Sequence, residues 1–96
     1  MIDKIPNEII DPDKMADILV DVHLAESMIQ ESKDDSIKLN KDKVLSGYYG
    51  VIMKIHQVSQ EEFVNSYNYY DEHPLILHYI HNTMTERLSL MESRYK

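Results

Sequence analysis

Histidines are the residues most able to do chemistry in this sequence, and three of them fall in one stretch, HPLILHYIH, at residues 73–81. His78 and His81 are three positions apart, so on a helix they could share a metal ion if carboxylates completed the shell. The pattern is not specific, because no HExxH motif and no paired ExxH motif accompanies it. We therefore expect surface histidines, no metal and no other cofactor.

Glu26 is the second candidate, because its helical angle places it between the apolar residues Val22 and Ile29. A buried carboxylate needs a partner, since an unpaired charge is costly or is neutralised by a raised pKa. We predict that Glu26 is a buried polar residue that contacts His81 or a tyrosine. The contact is interpreted as structural, because the chain offers no second acid, nucleophile or oxyanion site beside it.

Composition and motifs exclude several classes of function. The chain has 10 Lys and Arg against 17 Asp and Glu, a formal net charge of -7, which repels nucleic acid. The stretch MKIHQVSQEEFVNSY resembles a helix-turn-helix, but its recognition helix would present acids and no Lys or Arg. Cysteine, GxSxG and Gly-rich phosphate loops are all missing, and no apolar run approaches the roughly 18 residues of a membrane span. We expect no enzyme, no nucleic-acid partner and no direct membrane insertion by this segment.

Start and stop signals predict one all-α domain of four helices, two long and two shorter, in an orthogonal or bundle-like arrangement. Proline is tolerated at the first helical position, so Pro12 and Pro74 begin the long helices. Asn40 is the predicted cap of the second helix, and Ser59 with Glu62 forms a capping box for the third. An extended lead-in over residues 1–10 precedes a domain over residues 11–96, with helices at about 12–32, 41–56, 60–72 and 74–94.

Helical periodicity predicts which faces are buried. The second helix has a buried stripe, and the third buries Phe63, Tyr67 and Tyr70, which leaves Tyr69 at the surface. The stripe of the second helix consists of Val44, Leu45, Tyr48, Val51, Ile52 and Ile55.

The first helix has a second apolar line, Val20, Leu24 and Met28, nearly opposite its core face. A helix that is apolar on two sides usually contacts two things. Either another segment of this chain covers the second line, or the line is a partner surface.

Two blocks of the sequence resemble a known family. KMADILVDVHLAES at residues 14–27 and FVNSYNYYDEHP at residues 63–74, followed by a long amphipathic helix, are similar to the domain of unknown function DUF4296. The resemblance spans about residues 5–92. It implies a small helical domain of Bacteroidetes, often made as a precursor with a lipoprotein signal and a lipid-anchored cysteine upstream, and it carries over no active residues.

The function predicted from the sequence is a non-enzymatic protein-interaction module of the bacterial cell envelope, extracytoplasmic and part of a lipid-anchored protein. The anchor is expected upstream of this chain, and a cytoplasmic location is the alternative. Its partner would be an unidentified envelope protein or a second copy, with Val20, Leu24, Met28 and Tyr69 as contacts. The alternative function is a small-ligand or metal-binding helical domain that uses His23, Glu26, His78 and His81.

Overall fold

The computed structural model describes residues 5–94, with side chains up to Glu92, and every regular element in that range is a helix. The four predicted helices are all present, but the predicted count of four is wrong because residues 35–39 form an additional helix. Residues 1–4 of the predicted lead-in and residues 95–96 of the predicted domain lie outside the described residues. The helices are α1 (Pro12–Glu31), α2 (Asp35–Leu39), α3 (Lys41–Ile55), α4 (Gln60–Asp71) and α5 (Pro74–Arg94).

Helix α2 has only five residues, and polar side chains form hydrogen bonds at both of its ends. Asp34 caps it by accepting a hydrogen bond from the Ser36 amide at 2.9 Å. Asn40 is the N-cap residue of α3, as predicted, but its side chain makes no capping bond to that helix and instead donates from Nδ2 to the Ser36 carbonyl at 2.9 Å. Because α2 buries no residue, no apolar periodicity marks it in the sequence.

The longest helices, α1 and α5, pack against each other more extensively than any other pair and run in the same direction. The Tyr79 hydroxyl donates to Asp13 at 2.8 Å, and further along both helices Arg87 pairs with Asp17. Arg87 also reaches back and donates to the Asp13 carbonyl at 3.1 Å. The hydrogen bond to Asp13 raises the pKa of Tyr79. Ile80, fully buried, shows that the apolar faces of the two helices form the centre of the core.

Helix α3 packs on the other side of α1 in the opposite direction. The Tyr49 hydroxyl donates to Glu26 at 3.1 Å, and Nε2 of His56 lies 2.7 Å from Asp21. The contacts therefore move toward the start of α1 as α3 advances, as they do between antiparallel helices. Helix α4 then packs against α3 and α5. Within residues 5–94, none of the helices combines the length and the apolar character needed to cross a membrane.

The lead-in is held in the core by α4 rather than running free before it. The Ser66 hydroxyl accepts a hydrogen bond from the Ile10 amide at 2.8 Å, and the Tyr70 hydroxyl donates to the Ile10 carbonyl at 2.5 Å. All three residues are buried. Both backbone groups of Ile10 are therefore satisfied without water, which fixes the entry of the chain into α1.

The buried face of α4 differs from the predicted one. Phe63, Ser66 and Tyr70 face the core, while Tyr67 is exposed and Tyr69 is half-buried. The prediction that Tyr67 is buried was wrong because it counted only apolar and aromatic residues. Ser66 was left out, although its small hydroxyl fits where α4 meets the Ile10 backbone.

The predicted capping box is present at the start of α4. The Ser59 hydroxyl accepts from the Glu62 amide and the Glu62 carboxylate accepts from the Ser59 amide, each at 3.0 Å. Asp11 is the N-cap residue of α1, but its side chain makes no capping bond. The start of α1 therefore relies on Pro12 and on the anchored Ile10.

Helix α3 ends in a left-handed turn at Gln57, whose φ is 57°. The Val58 amide donates to the Met53 carbonyl at 3.0 Å and the Gln57 amide donates to the Lys54 carbonyl at 3.2 Å. This pair of bonds is the Schellman motif, in which glycine usually holds the left-handed position. Gln57 holds it here at a conformational cost.

We predict that Tyr70→Phe destabilises the protein by about 1 to 3 kcal/mol, because the buried Ile10 carbonyl loses its hydrogen-bond partner. Urea unfolding measures the change. Tyr67→Phe is the matched control and should stay within about 0.5 kcal/mol of the wild type, because the Tyr67 ring is exposed. Equal losses in the two variants would contradict the anchoring role of Tyr70.

The same contact predicts a pH dependence. Burial, with smaller contributions from Asp11 and Tyr69, raises the pKa of Tyr70 to about 12 from 10.0. A raised pKa in the folded state gives stability that is complete below pH 10 and is lost as the pH rises toward 12. The free-energy difference between wild type and Tyr70→Phe should therefore shrink above pH 10. Unfolding curves at a series of pH values test this, and a constant difference would argue against it.

We predict that Gln57→Gly stabilises the protein by about 0.5 to 1 kcal/mol, because glycine adopts a positive φ without steric cost. Gln57→Ala, which keeps the Cβ atom, should give no gain. Thermal or urea unfolding of the two variants makes the comparison. A gain in both would mean that loss of the glutamine side chain, and not the backbone conformation, is responsible.

Candidate interaction surface

Val20, the first residue of the second apolar line on α1, is 6% exposed and lies in a cleft of about 320 Å³. The prediction that Val20 belongs to a partner surface is corrected, because the end of α5 passes over this part of α1. The cleft is lined by Asp17, Val20, Asp21, His56, Arg87, Leu90 and Met91.

The acids on either side of Val20 connect α1 to its two neighbours. Asp17 pairs with Arg87 of α5, and Asp21 lies 2.7 Å from Nε2 of His56 at the end of α3. Partly exposed pairs of this kind contribute about 0 to 1 kcal/mol each. Their effect is to set where the ends of α3 and α5 meet α1.

Leu24 and Met28 continue the line beyond the cleft and are open to solvent. Their exposures are 40% and 50%. Neither residue belongs to the core cluster of the described residues. The two residues are therefore placed as a partner surface would require.

Helix α3 is rotated relative to its predicted stripe. Ile52 and Met53 are buried, whereas Tyr48, Val51 and Ile55 are exposed, Val51 at 56% and Ile55 at 67%. At about 100° per residue, the exposed three centre roughly a quarter turn or more away from the buried two. The prediction that the whole stripe is buried was wrong, because α4 draws the Met53 side of α3 into the core.

The exposed residues of α1 and α3 lie on the same side of the seam between the two helices. The Glu26–Tyr49 hydrogen bond marks the side that faces α4, because Tyr49 also lines a groove with Phe63 of α4. On α1, Leu24 and Met28 lie about 160° around the helix axis from Glu26. On α3, the exposed residues lie about 100° to 160° around the axis from Tyr49, in the direction away from α4. Both sets therefore lie on the side of the seam that faces away from α4. We call this exposed apolar face the α1–α3 surface; it consists of Leu24, Met28, Tyr48, Val51 and Ile55.

The opposite side of α3 forms a groove of about 510 Å³ with α4, lined by Gly50, Met53, Phe63 and their neighbours. A Cβ atom at Gly47 or Gly50 would meet nothing within 4 Å. Neither glycine is required by close backbone approach in this chain. The groove lies on the side of α3 that faces α4, and it is separate from the α1–α3 surface.

The predicted buried polar pair is not present. Glu26 and His81 are both exposed, and they lie on different helices. Glu26 does accept a hydrogen bond from a tyrosine, Tyr49, whose pKa is raised by burial and then by this contact. The structure places Glu26 at the edge of the core stripe, where its carboxylate reaches solvent beside α3.

Tyr69 is half-buried and does not project freely from the far side of α4. Its ring stacks on His73 at a centroid distance of 4.1 Å and meets Tyr70 edge-on at 5.4 Å. His73 Nδ1 lies 2.6 Å from the Tyr69 carbonyl, which requires that this nitrogen donates. The predicted surface role of Tyr69 is replaced by one in closing the joint between α4 and α5.

The residues of the alternative ligand site are spread over two helices. His23 and Glu26 are exposed on α1, and His78 and His81 are exposed near the start of α5. In the part of the chain that the structure describes, no group of three or more His, Cys, Asp or Glu side chains is placed to hold a metal ion. The geometry therefore does not assemble these four residues into one site.

Sequence reasoning missed Tyr48, Val51 and Ile55 as surface residues. A signal was present, because eight apolar or aromatic residues on a 15-residue helix exceed what one neighbouring helix can cover. The direction of rotation could not be obtained from the pattern, since it depends on where α4 returns against α3.

The comparisons agree with the family resemblance. The family model for DUF4296, a domain of unknown function, matches residues 6–94. Searches of curated proteins and of solved structures found no match. The matched range contains all five helices and Ile10, whose backbone is bound by α4. The chain therefore belongs to the DUF4296 family.

Proposed function

We propose that this domain is a non-enzymatic protein-interaction module of the bacterial cell envelope, carried by a lipid-anchored protein, and that its α1–α3 surface is the part that binds. The envelope location and the anchor rest on the family resemblance, which implies precursors with a lipoprotein signal. The binding role rests on the geometry of α3.

The observation that carries the proposal is that α3 buries only one side of its apolar stripe and leaves the middle and the other edge exposed. Ile52 is buried, whereas Tyr48, Val51 and Ile55 remain open in the folded chain. Burial of apolar area contributes about 25 cal/mol per Å², so a small domain gains from covering such residues. A stripe that the fold leaves open is explained if a partner covers it.

The surface has the composition expected of a binding patch. Leu24 and Met28 on α1 extend it across the seam, so that exposed apolar side chains of two helices lie on one face. Contiguous exposed apolar patches on soluble domains commonly mark interaction sites. Aromatic residues and methionine, here Tyr48 and Met28, are enriched at the centres of interfaces.

We predict that the double variant Val51→Asp, Ile55→Asp abolishes partner binding and leaves the fold intact. The substitutions place charges on a surface that must lose water on binding, which should weaken the affinity by at least about tenfold. The experiment is crosslinking and affinity capture from solubilised envelope, with the protein in its natural full-length form. Circular dichroism and urea unfolding confirm that both substitutions are tolerated.

Leu75→Asp is the matched control, because Leu75 is an exposed apolar residue at the start of α5 and outside the surface. It should bind as the wild type does. A specific crosslinked protein that is retained by the double variant would contradict the proposed surface. Loss of binding in both variants would show only a nonspecific effect of added negative charge and would equally count against it.

A further inference from the structure

The α1–α3 surface has two lysines on its α3 edge and one acid at the end of its α1 edge. On α3, Lys43 and Lys54 lie about 160° to 180° around the helix from Leu45 and Ile52, on the edge away from α1. On α1, Glu31 lies on the outer edge next to Leu24 and Met28. All three charged residues are exposed, and none makes an ion pair among the described residues.

The charges on the two edges also match in height. Helices α1 and α3 are antiparallel, and Glu26 is level with Tyr49. Five residues further along α1, Glu31 is level with about residue 44 of α3, because both helices rise by about 1.5 Å per residue. Glu31 and Lys43 therefore stand at nearly the same height on opposite edges of one apolar face.

We propose that a second copy of this chain covers the α1–α3 surface, with a two-fold axis along the seam between α1 and α3. Rotation about that axis places α1 of each copy over α3 of the other. Glu31 of one copy then meets the partner's Lys43, and the symmetry makes this contact twice. A two-fold interface is self-complementary in this way, because the same patch serves both copies. The inference rests on the proposed function and identifies its partner.

The area of the surface indicates a weak dimer. A helix of 15 residues is about 22 Å long, and two helices side by side are about 20 Å wide, so each copy contributes a footprint of roughly 400 Å². Stable interfaces use about 800 Å² per partner. Each copy also carries a net charge of -7, which opposes association, and the Glu31–Lys43 contacts offset part of that repulsion while they select the orientation.

Sedimentation equilibrium tests the dimer over protein concentrations from about 5 to 500 µM, the range in which a micromolar-class interface dissociates. The mass should rise from that of one chain to that of two. Glu31→Lys and Lys43→Glu should each weaken the dimer severalfold, because each places like charges opposite one another. The double charge swap should restore it. Glu86→Lys, an exposed acid on α5, is the control and should not weaken it.

The outcomes separate this inference from the proposed function. A wild-type chain that stays monomeric at 500 µM overturns the dimer, and the proposed function survives if Val51→Asp, Ile55→Asp still abolishes capture of another protein. A dimer that neither single charge variant weakens, or that the double swap fails to restore, overturns the arrangement. If neither self-association nor capture depends on the α1–α3 surface, both proposals fail.

Discussion

Burial of α1 on most of its circumference is the constraint on which the rest of the structure depends. Nine of its 20 residues are buried, more than in any other helix of the described chain. No single neighbour could cover so wide a face, so α3 and α5 must pack on different sides of α1. Asp21 and Asp17 set the positions of those neighbours through His56 and Arg87. The direction in which the chain enters α1 is fixed separately, by the contacts of Ser66 and Tyr70 with Ile10.

The sequence predicted the helices well and their rotations less well. Pro12, Pro74 and the capping box of Ser59 and Glu62 mark helix starts by local chemistry, and these signals do not depend on the rest of the fold. Rotation about the helix axis depends on neighbours that are distant in sequence. That is why Tyr67 was placed in the core and Ser66 was not.

The same limit applies to the candidate site. Leu24 and Met28 were identified from the sequence because their spacing is regular, and the structure leaves them exposed. Val20 belongs to the same line but is covered by α5, an event that the spacing cannot show. The contribution of α3 to the surface follows only from the way α4 draws Met53 inward.

The central claim is that α3 buries its Ile52–Met53 side and leaves its Val51–Ile55 side open. Carbene footprinting of the dilute protein, read out residue by residue, tests it most directly. The account predicts heavy labelling at Val51 and Ile55 and protection at Ile52 and Met53, with labelling of the first pair falling when a partner binds. Protection of Val51 and Ile55 in the dilute monomer would mean that α3 buries its whole apolar stripe after all, and the α1–α3 surface would not exist.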